Sequence, residues 1–337
     1  MYDVRDYDAM FADDARTLAY LAAIERGVSA GSVVVEIGTG VGYFAVAACR
    51  AGARRVYAIE TDPAIELAAR IAADNGCADR ITFINADSRT VSLPELGDTL
   101  LSDLRGILPP FGDHIATISD ARRRLLRPGA NLIPRRDTMW AAPSTAPDAW
   151  RRDHILGGPE PHGIDRRAVL ERVRSNWVRC RLGGENLLAE PAEWASLDYA
   201  TIESPDLSGS ASWSIGREAA ADGIVVWFDG DFGQGISLSN SPAAPRALYG
   251  QAFFPFAETL PISRGDRREV ELRAHFVKAD YAWEWKSTLT PADSGLPQIA
   301  FRQSNLAAQL VSLDHLRKLS IAAAQDSHTS PTIPSTG

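Results

Sequence analysis

Seven residues, Glu36-Ile37-Gly38-Thr39-Gly40-Val41-Gly42, carry the densest chemical signal in the chain. They follow one apolar run, SVVVEI (32–37), and open another, YFAVAACRAGA (43–53). Glycines at such a turn let the backbone bend tightly and approach a ligand with no Cβ in the way. Dinucleotide-binding turns have the form G-x-G-x-x-G. Here the pattern is G-x-G-x-G, and an acid, Glu36, stands two residues before the first glycine. A carboxylate at that point repels a pyrophosphate but accommodates an ammonium. A second acid, Glu60, ends the run RVYAIE (55–60), where it can accept both ribose hydroxyls of an adenosine. Asp87 closes a third run, RITFINAD (80–87), where a contact to the adenine amino group would lie, and Ser88 next to it is a further cofactor-binding candidate. A helix cap is the other reading of Asp87. The cofactor these residues suit is S-adenosyl-L-methionine. A dinucleotide, or a glycine-rich turn with no ligand, are the competing readings.

The elements that must position these residues follow from periodicity. SVVVEI, RVYAIE, RITFINAD and DTLLSD (98–103) read as strands. PAIELAARIAADNG (63–76) and HIATISDARRRLLRPG (114–129) read as helices, and NLIPRRDTMWAA (131–142) as a fifth strand. Strand–helix alternation argues a parallel sheet covered on both faces. One helix, YDAMFADDARTLAYLAAIERG (7–27), is expected before the sheet. After about residue 145 the runs are short and alternating, as in WASLDYATI (194–202), GIVVWFDGDF (223–232) and REVELRAHFV (268–277). Gly, Pro, Ser and Asp separate them, as in a β-sandwich or barrel. DRRAVLERVRSNW (165–177) reads as a lone amphipathic helix, and QDSHTSPTIPSTG (325–337) as a loosely ordered polar tail.

Composition narrows the classes. With 45% hydrophobic and 23% charged residues the chain is an ordinary globular one. No apolar run reaches the roughly 18 residues that span a bilayer, so no membrane partner is expected. A net charge of −8 disfavours nucleic acid. The N-terminus MYDVRDYDAMF lacks the basic and apolar regions of a signal peptide. Cys49, Cys77 and Cys180 form neither a disulfide framework nor a zinc motif, so no metal is expected and a cytoplasmic location is the default.

The segment YDAMFADDARTLAYLAAI resembles the helix that precedes the core in protein arginine methyltransferases, with Met10, Asp13, Arg16, Thr17 and Tyr20 in register. The resemblance runs through RAGARRVYAIE, LLRPGANLIP and the β-rich half, over roughly residues 5–285. It implies an α/β fold: a Rossmann-like class I methyltransferase domain with a mostly parallel, seven-strand-type sheet, then a β-barrel-like domain. The implied divisions are a helical cap (1–28), the cofactor domain (29–143), the barrel-like substrate domain (144–320) and a flexible tail (321–337). A dimerisation arm at about 160–178 implies a homodimer, with Trp177 exposed on it. Arg16 inherits a grip on the cofactor carboxylate, and Met10 a place beside it.

The acceptor side departs from that family. Its two hairpin glutamates fall on Asp103 and Gly112 in Ser102-Asp103-Leu104-Arg105-Gly106-Ile107-Leu108-Pro109-Pro110-Phe111-Gly112-Asp113-His114, and its Thr-His-Trp loop falls on Ala247-Leu248-Tyr249. Asp103, Arg105, Asp113 and His114 are the catalytic candidates. Arg105 can clamp an anion through its planar fork, and His114 titrates in the range of a general base. Structural alternatives are an Arg105–Asp103 pair, and Asp113 as the cap of a helix begun by His114. Tyr2 and Tyr7 are expected to form another wall or to pack in the core. Trp283-Glu284-Trp285 and FRQSN (301–305) add to the pocket or close the barrel. The leading expectation is methylation at O or N of a small molecule or peptide of specialised metabolism that carries an anionic group. The alternatives are an arginine or guanidine N-methyltransferase with a reworked acidic site, and an inactive dimeric scaffold.

Overall fold

The computed structural model describes residues 3–156, 160–245 and 247–308. Tyr2 and the tail lie outside the described residues. The expected N-terminal helix is two helices, α1 (Val4–Phe11) and α2 (Asp14–Gly27). The break falls at Asp13, whose carboxylate accepts the Arg16 amide at 3.2 Å and so caps α2.

The first module alternates β1 (Val33–Ile37), α3 (Tyr43–Arg50), β2 (Arg55–Glu60), α4 (Ile65–Asp74), β3 (Ile81–Asn85), β4 (Gly97–Ser102), α5 (His114–Arg124) and β5 (Leu126–Ile133). The five strands are parallel, in the order β3-β2-β1-β4-β5. The sheet is thus five-stranded where a seven-strand type was expected. Strand order reverses between β1 and β4, so the loops after them diverge and leave a crevice at their carboxyl ends. All five residues of β1 are buried, as a central strand covered on both faces requires.

The expected fifth strand is also divided. β5 stays in the parallel sheet, whereas β6 (Arg136–Ser144) pairs antiparallel in the next one. Pro134, which lacks an amide hydrogen, sits at the break. The change of module therefore comes about ten residues before the expected boundary at 143.

The second module comprises β6, β7 (Val178–Cys180), β8 (Ala192–Asp198), β9 (Leu207–Ser214), β10 (Ala219–Gly233), β11 (Ile236–Ser239), β12 (Gln251–Ile262), β13 (Arg267–Val277), β14 (Asp280–Thr290) and β15 (Gln298–Ser304). One sheet runs β7-β12-β10-β6-β8, with β11 on β10; the other runs β15-β14-β13-β9. Trp194, Phe254, Trp283 and Trp285 fill the space between them, with ring centroids 5.2–6.0 Å apart. Trp283 and Trp285 therefore close the barrel, and so does β15, which carries residues 301–304. The helix Arg167–Arg174 lies along β12, with the Arg174 guanidinium on the Ala257 carbonyl at 2.6 Å. Trp177 is half-buried and stacked on Phe254, not exposed as expected; the exposed apolar side chains of this arm are Ile164 and Val169. No helix among the described residues is long and apolar enough to cross a membrane.

Candidate functional site

A cavity of about 630 Å³ opens at the crevice between β1 and β4, roofed by α1 and by the loop before β12. A smaller one of about 340 Å³ adjoins it, sharing Gly38, Glu60, Thr61, Leu104 and Phe111. The glycine turn forms their common floor. Gly38 and Gly40 have φ of 78° and 53°. A Cβ on Gly38 would lie 2.6 Å from Leu104, and one on Gly40 2.6 Å from the Tyr7 ring. The turn therefore admits only bare backbone, with Tyr7 laid over it. Gly42 faces away from the cavity; a Cβ there would meet Ala68 of α4 at 2.8 Å.

Glu36 is 3% exposed and accepts a hydrogen bond from Thr39 Oγ1 at 2.7 Å. Burial pushes its carboxyl up to about 7, which Glu60 reinforces and the Thr39 bond and Arg16 oppose. A cation brought beside such a carboxyl stabilises its ionised form. Glu60 is fixed by three backbone amides, those of Gly40, Thr61 and Asp62, at 2.8–2.9 Å. Glu60 lines both cavities. Asp87 and Ser88 line the smaller cavity, and Asp87 also caps the turn Ser88–Thr90 by accepting the Arg89 amide at 2.9 Å. Met10 lines the larger cavity, and its carbonyl accepts Arg16 Nη1 at 3.3 Å.

The expected catalytic residues divide between the two cavities. Asp103 lies in the larger one. Arg16 Nε donates to it at 2.6 Å, Arg105 Nε at 3.2 Å and the Tyr249 hydroxyl at 2.7 Å. Burial works to raise its pKa, but the two guanidinium groups and the Tyr249 bond hold it down at about 2. Asp103 is therefore charged at any working pH and removes no proton.

Arg105 does not face an acceptor. Its side chain is 0% exposed, with Nη1 on Asp137 at 3.0 Å and Nη2 on the Tyr20 hydroxyl at 2.7 Å. The rings of Phe228, Phe232 and Tyr249 surround it at 5.0–5.6 Å. The pair with Asp103, the structural alternative, is the one formed. Asp113 and His114 line the smaller cavity, beyond Leu104 and Phe111. Asp113 pairs with Arg89 at 3.0 Å. The His114 Nδ1 lies 2.9 Å from the Pro109 carbonyl, which only accepts, so Nδ1 carries the hydrogen. Burial depresses its pKa to about 4, leaving a neutral ring that is a poor proton acceptor. Two residues of the larger cavity's lining, and one that holds Arg105 behind it, carried no sequence signal of their own. Asp137 comes from β6, Arg179 from the three-residue strand β7, and Asp62 from a turn.

Comparisons with known proteins agree with this architecture. A family profile described as the TRM5/TYW2 methyltransferase domain matches residues 7–118. A second, the arginine methyltransferase oligomerization subdomain, matches residues 153–287. An arginine N(omega)-methyltransferase of Streptomyces achromogenes subsp. streptozoticus is 28% identical, over 78% of this chain and 74% of its own length. Protein arginine N-methyltransferase 6 of Xenopus tropicalis is 26% identical, over 78% of this chain and 81% of its own. Among solved structures, the Trypanosoma brucei PRMT1 enzyme–prozyme complex with AdoHcy superposes with a TM-score of 0.80 at 20% identity, covering 88% of this chain and 95% of that one. Arabidopsis thaliana protein arginine methyltransferase 10 superposes at 0.78 with 20% identity, covering 90% and 97%.

Proposed function

We propose, for a chain that is an S-adenosyl-L-methionine-dependent methyltransferase of the protein arginine methyltransferase-like type, that the methyl acceptor is the guanidino group of an arginine. The observation that carries this reading is the direction of Arg105. The anionic acceptor expected from the sequence required that guanidinium to face the cavity. Asp137, Tyr20 and Asp103 hold it instead. The lining as a whole is acidic: Asp6, Glu36, Glu60, Asp62 and Asp103 against Arg16, Arg105 and Arg179, and with Glu36 about half-protonated near pH 7 its net charge lies between −1 and −2. A cation is favoured in such a cavity. The relatives above are named for arginine, which supports the same choice.

The residues present suit the cofactor. Glu36 can take its ammonium, Arg16 its carboxylate, Glu60 its ribose, and Asp87 with Ser88 its adenine. The bound cofactor supplies an electrophilic methyl group on a sulfonium. Arg16, Arg105 and Tyr249 leave Asp103 one acceptor position, which takes a hydrogen bond from the acceptor guanidinium and aligns one nitrogen with that methyl. Transfer of that methyl to the aligned nitrogen would release one nitrogen proton, which would pass to water. The arm around Arg167–Arg174, with Ile164 and Val169 exposed, would join two copies into a homodimer.

The test is release of S-adenosylhomocysteine with arginine, arginine peptides and carboxylate-bearing phenols, with mass spectrometry to place the methyl group. Guanidino compounds should turn over. Turnover of the phenols alone would overturn the reading.

A further inference from the structure

Three cations line the larger cavity, and two of them are already paired. Arg16 and Arg105 both donate to Asp103. Arg179 differs: it is exposed, and its Nη2 donates to the neutral carbonyl of Leu248. A guanidinium has five N–H donors in a planar fork, so this bond leaves most of its capacity directed at solvent and ligand.

The position of Arg179 relative to Asp103 is set by Tyr249. Arg179 holds the backbone at Leu248, directly before Tyr249, while the Tyr249 hydroxyl reaches Asp103 at 2.7–2.9 Å. Arg179 and Asp103 thus stand at opposite ends of one tyrosine side chain. Standard bond lengths make extended tyrosine and arginine side chains nearly equal, roughly 6 Å from Cα to tip. An arginine lying beside Tyr249 with its guanidinium at Asp103 brings its own main chain to Arg179. Leu248 and Ile107, which also line the cavity, would cover the methylene stem.

We propose that Arg179 is a carboxylate subsite, and that the acceptor is an arginine whose α-carboxylate is free: the amino acid itself or the C-terminal residue of a peptide. This rests on the guanidino reading above. An arginine inside a polypeptide offers a neutral amide at that point and forgoes the bidentate, charge-assisted pair.

Steady-state kinetics on the full-length protein and on Arg179→Gln test this with five probes. They are L-arginine, agmatine (which lacks the carboxylate), argininamide, a short peptide ending in arginine, and the same peptide amidated. L-Arginine should have a KM about tenfold to a hundredfold below those of agmatine and argininamide, the contribution of a charge-assisted hydrogen-bonded pair. Arg179→Gln should raise the KM for L-arginine by that factor. It should leave kcat, the KM for agmatine, and S-adenosylhomocysteine affinity nearly unchanged. The free and amidated peptides separate the two sources: a preference for the free carboxylate includes C-terminal arginine, and failure of both with turnover of L-arginine restricts the site to the amino acid. Equal KM values for arginine and agmatine, or a variant that impairs both alike, would overturn the carboxylate subsite and leave guanidino methylation standing. Failure of every guanidino compound would overturn both.

Discussion

Cofactor binding should release a proton from Glu36. The native carboxyl sits at about 7 because burial removes it from water, against 4.5 for an ordinary glutamate. Between those values the folded chain holds a proton that the unfolded chain has lost. The group therefore favours folding at low pH, and that contribution is lost as pH rises through 4.5 toward 7, roughly 3 kcal/mol in all. An ammonium docked against Glu36 reverses the preference and stabilises the ionised form. Below pH 7, binding must expel the proton, so affinity falls with falling pH. For one group titrating at about 7, affinity should drop roughly 25-fold from pH 7.5 to pH 5.5. The assay is calorimetry of S-adenosylhomocysteine in buffers of different ionisation heat. It should count close to one proton released at pH 5.5 and about a quarter of one at pH 7.5. Glu36→Gln should bind weakly and lose the pH dependence. An affinity flat across this range, with no proton released, would show that Glu36 does not meet the ammonium.

Glu60→Ala should weaken cofactor binding by about 1–3 kcal/mol, the scale of a hydrogen bond to a charged group, and unchanged affinity by calorimetry would remove Glu60 from the site. Arg105→Met should destabilise the fold by about 3–5 kcal/mol, because it strands Asp137, which is 0% exposed. A chemical-denaturation change below about 1 kcal/mol would show that the cluster does not hold the modules together. His114 is held at about 4 in the fold against 6.5 outside it, so it contributes stability above pH 6.5 that is lost as pH falls toward 4. His114→Asn should flatten melting temperature across that window, and a variant as acid-sensitive as the parent would count against the assignment. Light scattering should give about 73 kDa, twice the 36.5 kDa chain. Ile164→Asp with Val169→Asp should give monomers, and a monomeric parent protein at micromolar concentration would end the dimer reading.

What could be read from the sequence was local. The glycine turn, Glu36 and Glu60 depend on neighbours within a few residues, and strand–helix alternation is a periodic signal, so this edge of the cavity and the parallel sheet were legible. The breaks at Asp13 and Pro134 were less so. In each case a helical or apolar pattern continues across a residue whose capping or missing amide hydrogen ends the element. Arg105 was misjudged for a different reason. Its charge is visible in the sequence, but the groups that claim it come from far away: Asp137 lies 32 residues on and Tyr20 85 residues back. The same holds for Asp103, which joins Arg16 of α2, Arg105 of the loop after β4 and Tyr249 of the loop before β12. One carboxylate thus ties the helical cap, the parallel-sheet module and the barrel at a single point. Removing any of the three donors leaves part of a buried charge unpaired. The Asp103 end of the cavity can therefore take its geometry only when all three parts are docked, whereas the glycine turn and its acids are assembled within the first module alone.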